Sequence, residues 1–215
     1  MKLSRLFAVT LLFAGLSLQS FFTYAEPQPG KEFALVNPPQ PVETGKKIEV
    51  LEIFWYGCPH CFDLEPLLNT WVKKLPGDVT FRRMPAVFRD NWIPMAKAYY
   101  TLEALGALEK SHANLFNAIH VQGLDPSNDN TLFDWAAKQG IDRKKFTDTY
   151  QSFSIQSKVM RAKQLTREYG INGVPALIVD GKYMTASSMT GGHEGLFTTV
   201  DYLIAKARKE HSGKK

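Results

Sequence analysis

The hydrophobic pattern of the chain changes period at a single glycine, and that change fixes its local architecture. From Lys47 to Tyr56 the chain carries IEVLEIFWY, short and dense in Ile, Val, Phe, Trp and Tyr, as a buried central strand requires. After Gly57 the spacing becomes helical, with Leu64, Leu67, Leu68, Trp71, Val72 and Leu75 on one face and Pro66 predicted to kink the helix part-way. Pro76-Gly77-Asp78 ends that helix, and Val79 to Met84 reads as a second strand. A β-α-β unit of this kind pairs its strands in parallel through a right-handed crossover.

Both cysteines of the chain fall at the strand-to-helix junction, as Cys58-Pro59-His60-Cys61. The spacing puts both sulfurs on the same side of the first helical turn. Pro59 suits the first helical position, where its missing N–H is no loss. The free N–H groups and positive dipole end of the helix then face Cys58 and favour its thiolate, and a cationic or donating His60 adds to this. Cys58 is thus expected to be the exposed attacking thiol and Cys61 the inner, resolving one. A bridge closing so small a loop removes little unfolded-state entropy, so the pair is there for reactivity and not for stability.

Other uses of two cysteines fit less well. Zinc needs two further ligands, and of the five histidines only His60 is near in sequence. Haem attachment wants histidine after the second cysteine, where this chain has Phe62. Two thiolates do suffice for Cu(I), so a Cu(I) carrier, or a peptide-binding protein with incidental thiols, stays open.

The first residues form an export signal: Lys2 and Arg5, an apolar run from Leu6 to Leu18, and Thr23-Tyr24-Ala25 as a cleavage site. The run is shorter than the ~20 residues a membrane span needs. Removing residues 1–25 from the 215 leaves 190, enough for one substantial core. The 26 Lys and Arg then fall to 24 against 21 Asp and Glu, a net of +3 that calls for no nucleic-acid partner. The basic cluster Lys206, Arg208, Lys209, Lys214 and Lys215 is read as a solvated helix end and tail.

Residues 26–46 hold five prolines and one β-like stretch, Phe33 to Val36, and read as an extended arm with at most one edge strand. From Asn91 to Tyr169 the periodicity is helical in several pieces, broken at Gly106, at Asp125-Pro126-Ser127 and at Gly140. Ala176 to Val179 and Lys182 to Thr185 flank Asp180-Gly181, a strong hairpin signal, and a last helix runs from about His193 to Lys209. The expected organisation is an α/β fold in parts 26–90 and 171–215, with a helical insertion over 91–170.

VLEIFWYGCPHC, the downstream GVPALIVDGKY and the helical block between them together resemble the DsbA family of periplasmic dithiol oxidases. The resemblance covers nearly all of the chain after residue 25. It implies a thioredoxin fold with an inserted all-helical domain and a cis Val174-Pro175 bond lying against the active-site sulfurs. Val174 and Pro175 would then bind an extended substrate segment. No cofactor is implied beyond a redox-active Cys58-Cys61 disulfide, and the expected protein is a monomer. Its partners would be reduced, unfolded exported proteins and a DsbB-like membrane oxidase that restores the disulfide. A disulfide isomerase or reductase of the same fold is the alternative within the enzymes.

Glu52 is anomalous inside a strand, since an ionised, unpaired carboxylate there costs several kcal/mol. It is either an edge-facing residue or a buried proton acceptor near Cys61, and the family's buried glutamate favours the second. Glu65 and Arg83 match positions where the family has a carboxylate and a nearby base. Arginine cannot be deprotonated, so a plain ion pair is expected. His112, His120, His193 and His211 show no partner pattern and are expected at the surface or at helix ends. Phe54, Trp55 and Tyr56 are divided between core and substrate surface, with none assigned.

Overall fold

A computed structural model describes residues 26–213; the expected export signal lies outside them. The IEVLEIF run forms β2 (Ile48–Phe54), after a two-residue edge strand β1 (Ala34–Leu35), and every residue of β2 is buried. Then come α1 (Pro59–Val72) and β3 (Val79–Pro85), with β3 parallel to β2 as the β-α-β reading requires. A short 3-10 turn (Asp90–Trp92) leads into five helices: α2 (Ile93–Ala104), α3 (Leu108–His120), α4 (Asp129–Lys138), α5 (Arg143–Tyr150) and α6 (Phe153–Glu168). The chain closes with β4 (Ala176–Val179), β5 (Tyr183–Thr185) and α7 (His193–Ser212).

The sheet order is β1-β5-β4-β2-β3, antiparallel except for β2 with β3. The β4–β5 turn is made by Asp180 and Gly181, both at positive φ (54° and 64°), the geometry that an Asp-Gly hairpin turn selects. Gly181 also abuts the proline-rich arm, since a Cβ there would lie 2.0 Å from the Gln40 carbonyl oxygen.

Strand periodicity distributes the side chains. Ile48 and Val50 face α1 and α7, packing with Leu64, Leu68, Val200 and Leu203, whereas Leu51 and Ile53 face α6. Period two therefore sends Glu52 toward α1, on the side of Ile48 and Val50. Phe54, Tyr56 and both cysteines pack into a separate core with residues of α2 to α5, so the active-site end of the sheet is roofed by the helical block.

One expectation needs correction here. Leu67 is 47% exposed: the buried face of α1 is Cys61, Leu64, Glu65 and Leu68, so a carboxylate occupies the stripe and Leu67 falls beside it. Pro66 lies inside α1, which runs as one element from Pro59 to Val72.

Candidate active site

Cys58 is the N-cap of α1, in extended conformation (φ −91°, ψ 115°), with Pro59 at the first helical position. Its carbonyl accepts the N–H groups of Cys61 and Phe62, both at 3.1 Å, and its sulfur accepts the Cys61 N–H at 3.4 Å. Neither cysteine is disulfide-bonded, so this is the dithiol form. Cys58 is 7% exposed and Cys61 fully buried. The expected order of access holds, but Cys58 is recessed and not exposed; Pro59 and His60 are the exposed members of the motif.

The two thiols differ sharply as acids. The Cys61 thiol, donating to the neighbouring sulfur, is the largest influence lowering the Cys58 pKa to about 6, joined by the backbone N–H groups of Cys61 and His60 and the charge of His60. Burial pushes the Cys61 thiol far up, and donation to Cys58 pushes it the same way. One sulfur is therefore set to leave as a thiolate and the other to keep its proton.

Val174-Pro175 is cis, and Pro175 is buried. The Cys58 thiol donates to the Val174 carbonyl at 3.4 Å, which places that loop against the reactive sulfur. A groove of about 550 Å³ beside it is lined by His60, Val174, Pro175, Met184, Met189 and His193. Across the Ile171–Gly173 segment lies a second hollow of about 610 Å³, walled by Phe88 and by Trp55 stacked on Trp92 with ring centroids 4.1 Å apart. Of the three aromatics before the motif, Phe54 and Tyr56 are core and Trp55 is half-buried at this hollow.

Glu52 is 1% exposed and paired, not edge-facing: its Oε2 accepts from Arg83 Nε at 2.9 Å, while its Oε1 has no partner. Burial pushes its carboxyl up to about 7, against the pull of Arg83. Arg83 Nη2 donates to Glu65 Oε1 at 2.9 Å, the ion pair expected. Burial works against the charge of Glu65, but His112, Arg83 and Asn69 outweigh it and hold its carboxyl below the ordinary value.

One histidine departs from expectation: His112 is buried within α3, whereas His120 ends α3 and His193 and His211 lie at the two ends of α7, as expected. His112 is 5% exposed and His120 half-buried, and together they grip Tyr56. His112 Nδ1 lies 2.7 Å from the Tyr56 hydroxyl and His120 Nε2 lies 2.7 Å from the Tyr56 carbonyl oxygen. His193 bonds Ser187 and His211 bonds Asp180, each half-buried near an end of α7. The signal for His112 lay in its spacing, three and four residues before Leu115 and Phe116 on the apolar stripe of α3.

The sequence and fold have close relatives. Residues 78–203 match the family model of the DSBA-like thioredoxin domain. A thiol:disulfide interchange protein DsbA of Burkholderia cepacia is 42% identical over 185 residues, covering 86% of this chain and 87% of the relative. The chain belongs to the DsbA family. The crystal structure of Pseudomonas aeruginosa DsbA is similar at a TM-score of 0.81 and 40% identity, over 86% of this chain and 96% of that one. An oxidoreductase DsbA of Xylella fastidiosa matches at 0.81 and 30% identity, over 86% and 100%. This membership makes the fold thioredoxin-like and the activity thiol:disulfide interchange with substrate proteins.

Proposed function

We propose that Cys58 and Cys61 are the redox pair of a dithiol oxidase that hands its disulfide to reduced, folding exported proteins. The observation that carries this reading is the placement of Cys58 at the N-cap of α1, its sulfur 3.4 Å from the Val174 carbonyl oxygen of the cis-proline loop, with Cys61 fully buried one turn further on. The Cys61 thiol and the helix end hold the Cys58 pKa down, while burial raises that of Cys61.

A substrate thiolate attacks Cys58 of the disulfide, the Cys58–Cys61 bond breaks, and Cys61 leaves as a thiolate. Its high proton affinity requires a proton at once, and Glu52, buried on the α1 side of the sheet and half-protonated near pH 7, supplies it. A second substrate thiolate then attacks the substrate sulfur of the mixed disulfide, and Cys58 departs as a stabilised thiolate. The products are a substrate disulfide and the dithiol enzyme.

Pro59 and His60 support the Cys58 thiolate. Once Cys58 has lost its proton, the Val174 carbonyl is free to accept from the backbone of an extended substrate, with Pro175 fixing the loop and the adjoining groove receiving apolar side chains. The chemistry needs no cofactor beyond the cysteine pair. Export to the periplasm, a monomeric state and re-oxidation by a DsbB-like membrane protein complete the proposal.

Equilibration with glutathione buffers, together with disulfide transfer to a reduced unfolded protein, tests it. A potential well above that of thioredoxin and rapid transfer are expected. A thioredoxin-like potential turns the assignment to a reductase, and tight stoichiometric Cu(I) binding without transfer turns it to a metal carrier.

A further inference from the structure

Five of the six methionines fall among the described residues, and their surroundings divide them. Met84 and Met95 are buried core side chains, and Met160 stands on the outer face of α6, 58% exposed. Met184 and Met189 are half-buried, and both line the groove of about 550 Å³ beside the cis-proline loop. Met184 lies in β5 and packs, as Val174 does, against the core cluster that contains Ala176 and Ile178. Met189 lies in the connection from β5 to α7, where its N–H donates to the Ala186 carbonyl at 2.9 Å.

The other apolar side chains of that groove are short, branched or cyclic, so the two thioethers are its long unbranched ones. Such chains adjust to partners of different shape, which suits a groove that meets many substrate sequences. The same sulfurs are open to chemistry that the core methionines escape. Oxidation turns a flexible apolar side chain into a polar sulfoxide, and a polar oxygen seated without a donor beside Val174 and Pro175 spoils an apolar contact.

We propose that Met184 and Met189 form a reversible modification site, at which oxidation by hydrogen peroxide closes the groove to protein substrates and leaves the Cys58–Cys61 disulfide reactive toward small thiols. This rests on the oxidase reading above, in which the groove receives apolar side chains of the substrate. In each oxidation the thioether sulfur attacks one peroxide oxygen, the O–O bond breaks, an S–O bond forms, and the second oxygen leaves as water. The sulfur loses two electrons and the peroxide gains them. A methionine sulfoxide reductase reverses the change, with a dithiol as reductant and water as the second product. The reaction at Cys58 itself is untouched, because a small thiol reaches that sulfur without filling the groove.

The test treats the protein in its disulfide form with hydrogen peroxide, so that no free Cys58 thiolate competes for the oxidant. Peptide mapping by mass spectrometry should then find one added oxygen on each of Met184, Met189 and Met160, and none on Met84 or Met95. For disulfide transfer to a reduced peptide with apolar residues beside its cysteine, KM should rise roughly tenfold. The rate of disulfide cleavage by reduced glutathione should stay within about twofold of the untreated protein. Methionine sulfoxide reductase should restore KM. A chain carrying both Met184→Leu and Met189→Leu, compared with itself before and after peroxide, should lose less than about twofold, since leucine fills a similar volume and cannot be oxidised in this way. Met160→Leu should remain as sensitive as the wild type. Groove methionines that stay unoxidised, a KM unmoved once they are oxidised, a glutathione rate that falls as far as the peptide rate, or an equal loss in the double leucine variant each overturn the proposal and leave the oxidase reading intact. Untreated protein that cannot pass its disulfide to the peptide strikes the oxidase reading, and this proposal with it.

Discussion

Glu52 and Arg83 are register partners across the parallel β2–β3 pair, and their side chains meet at 2.9 Å on the α1 face of the sheet. Arg83 holds Glu65 as well, so one guanidinium serves two buried carboxylates. Removing one partner of such a cluster costs about 3–5 kcal/mol, because a buried charge is left uncompensated. Arg83→Met should show that loss in urea unfolding at pH ~8 and a smaller one at pH ~5, where the orphaned carboxyls can take protons. An equal loss at both pH values would mean that Arg83 acts by packing alone.

Tyr56 is held at both ends by α3, hydroxyl by His112 and carbonyl by His120, two residues before Cys58. Tyr56→Phe leaves a buried ring nitrogen of His112 without its hydrogen-bond partner, at a cost of about 1–3 kcal/mol. The expected result is a lower urea midpoint with an unchanged slope and an unchanged Cys58 pKa. The backbone bond to His120 survives the substitution, so the N-cap stays in place.

What was legible in the sequence was local. Gly57 marks the change of period, Asp180-Gly181 dictates a turn with two positive φ angles, and Cys58-Pro59 writes an N-cap followed by a first helical residue. What was not legible depends on which helix faces which. Nothing near Glu65 in sequence announces His112, since α1 and α3 meet only when the helical block folds over the end of the sheet. Apolar periodicity also cannot show that a charged residue shares the buried stripe, which is why Leu67 displaced Glu65 in the expected face of α1. The acidity of Cys58 was expected from the helix end and His60, yet its largest source is the thiol of Cys61.

That ordering separates two variants. Cys61→Ala removes the strongest influence on Cys58 and should raise its pKa more than His60→Ala, which removes only the weakest of the lowering influences named above. Thiolate absorbance followed against pH reads both. A larger effect from His60→Ala would return the dominant role to the imidazole.

The ionisation of Cys58 also makes the stability of the dithiol form depend on pH in a way the disulfide form cannot share. Its folded pKa of about 6 lies below the ordinary 9.0, so below pH 6 both folded and unfolded chains hold the proton and nothing is contributed. As the pH rises the unfolded chain binds more protons than the folded one, and stability grows until pH 9.0. Glu52, raised to about 7, works in the opposite sense between 4.5 and 7, and Cys61 opposes only near and above 9. The clean interval is therefore pH 7 to 9. Across it the unfolding free energy of the dithiol form, taken relative to the disulfide form, should rise by about 2 kcal/mol. Paired urea titrations of the two redox forms measure this difference, and a flat line would mean that Cys58 enters the interval already behaving as an ordinary thiol.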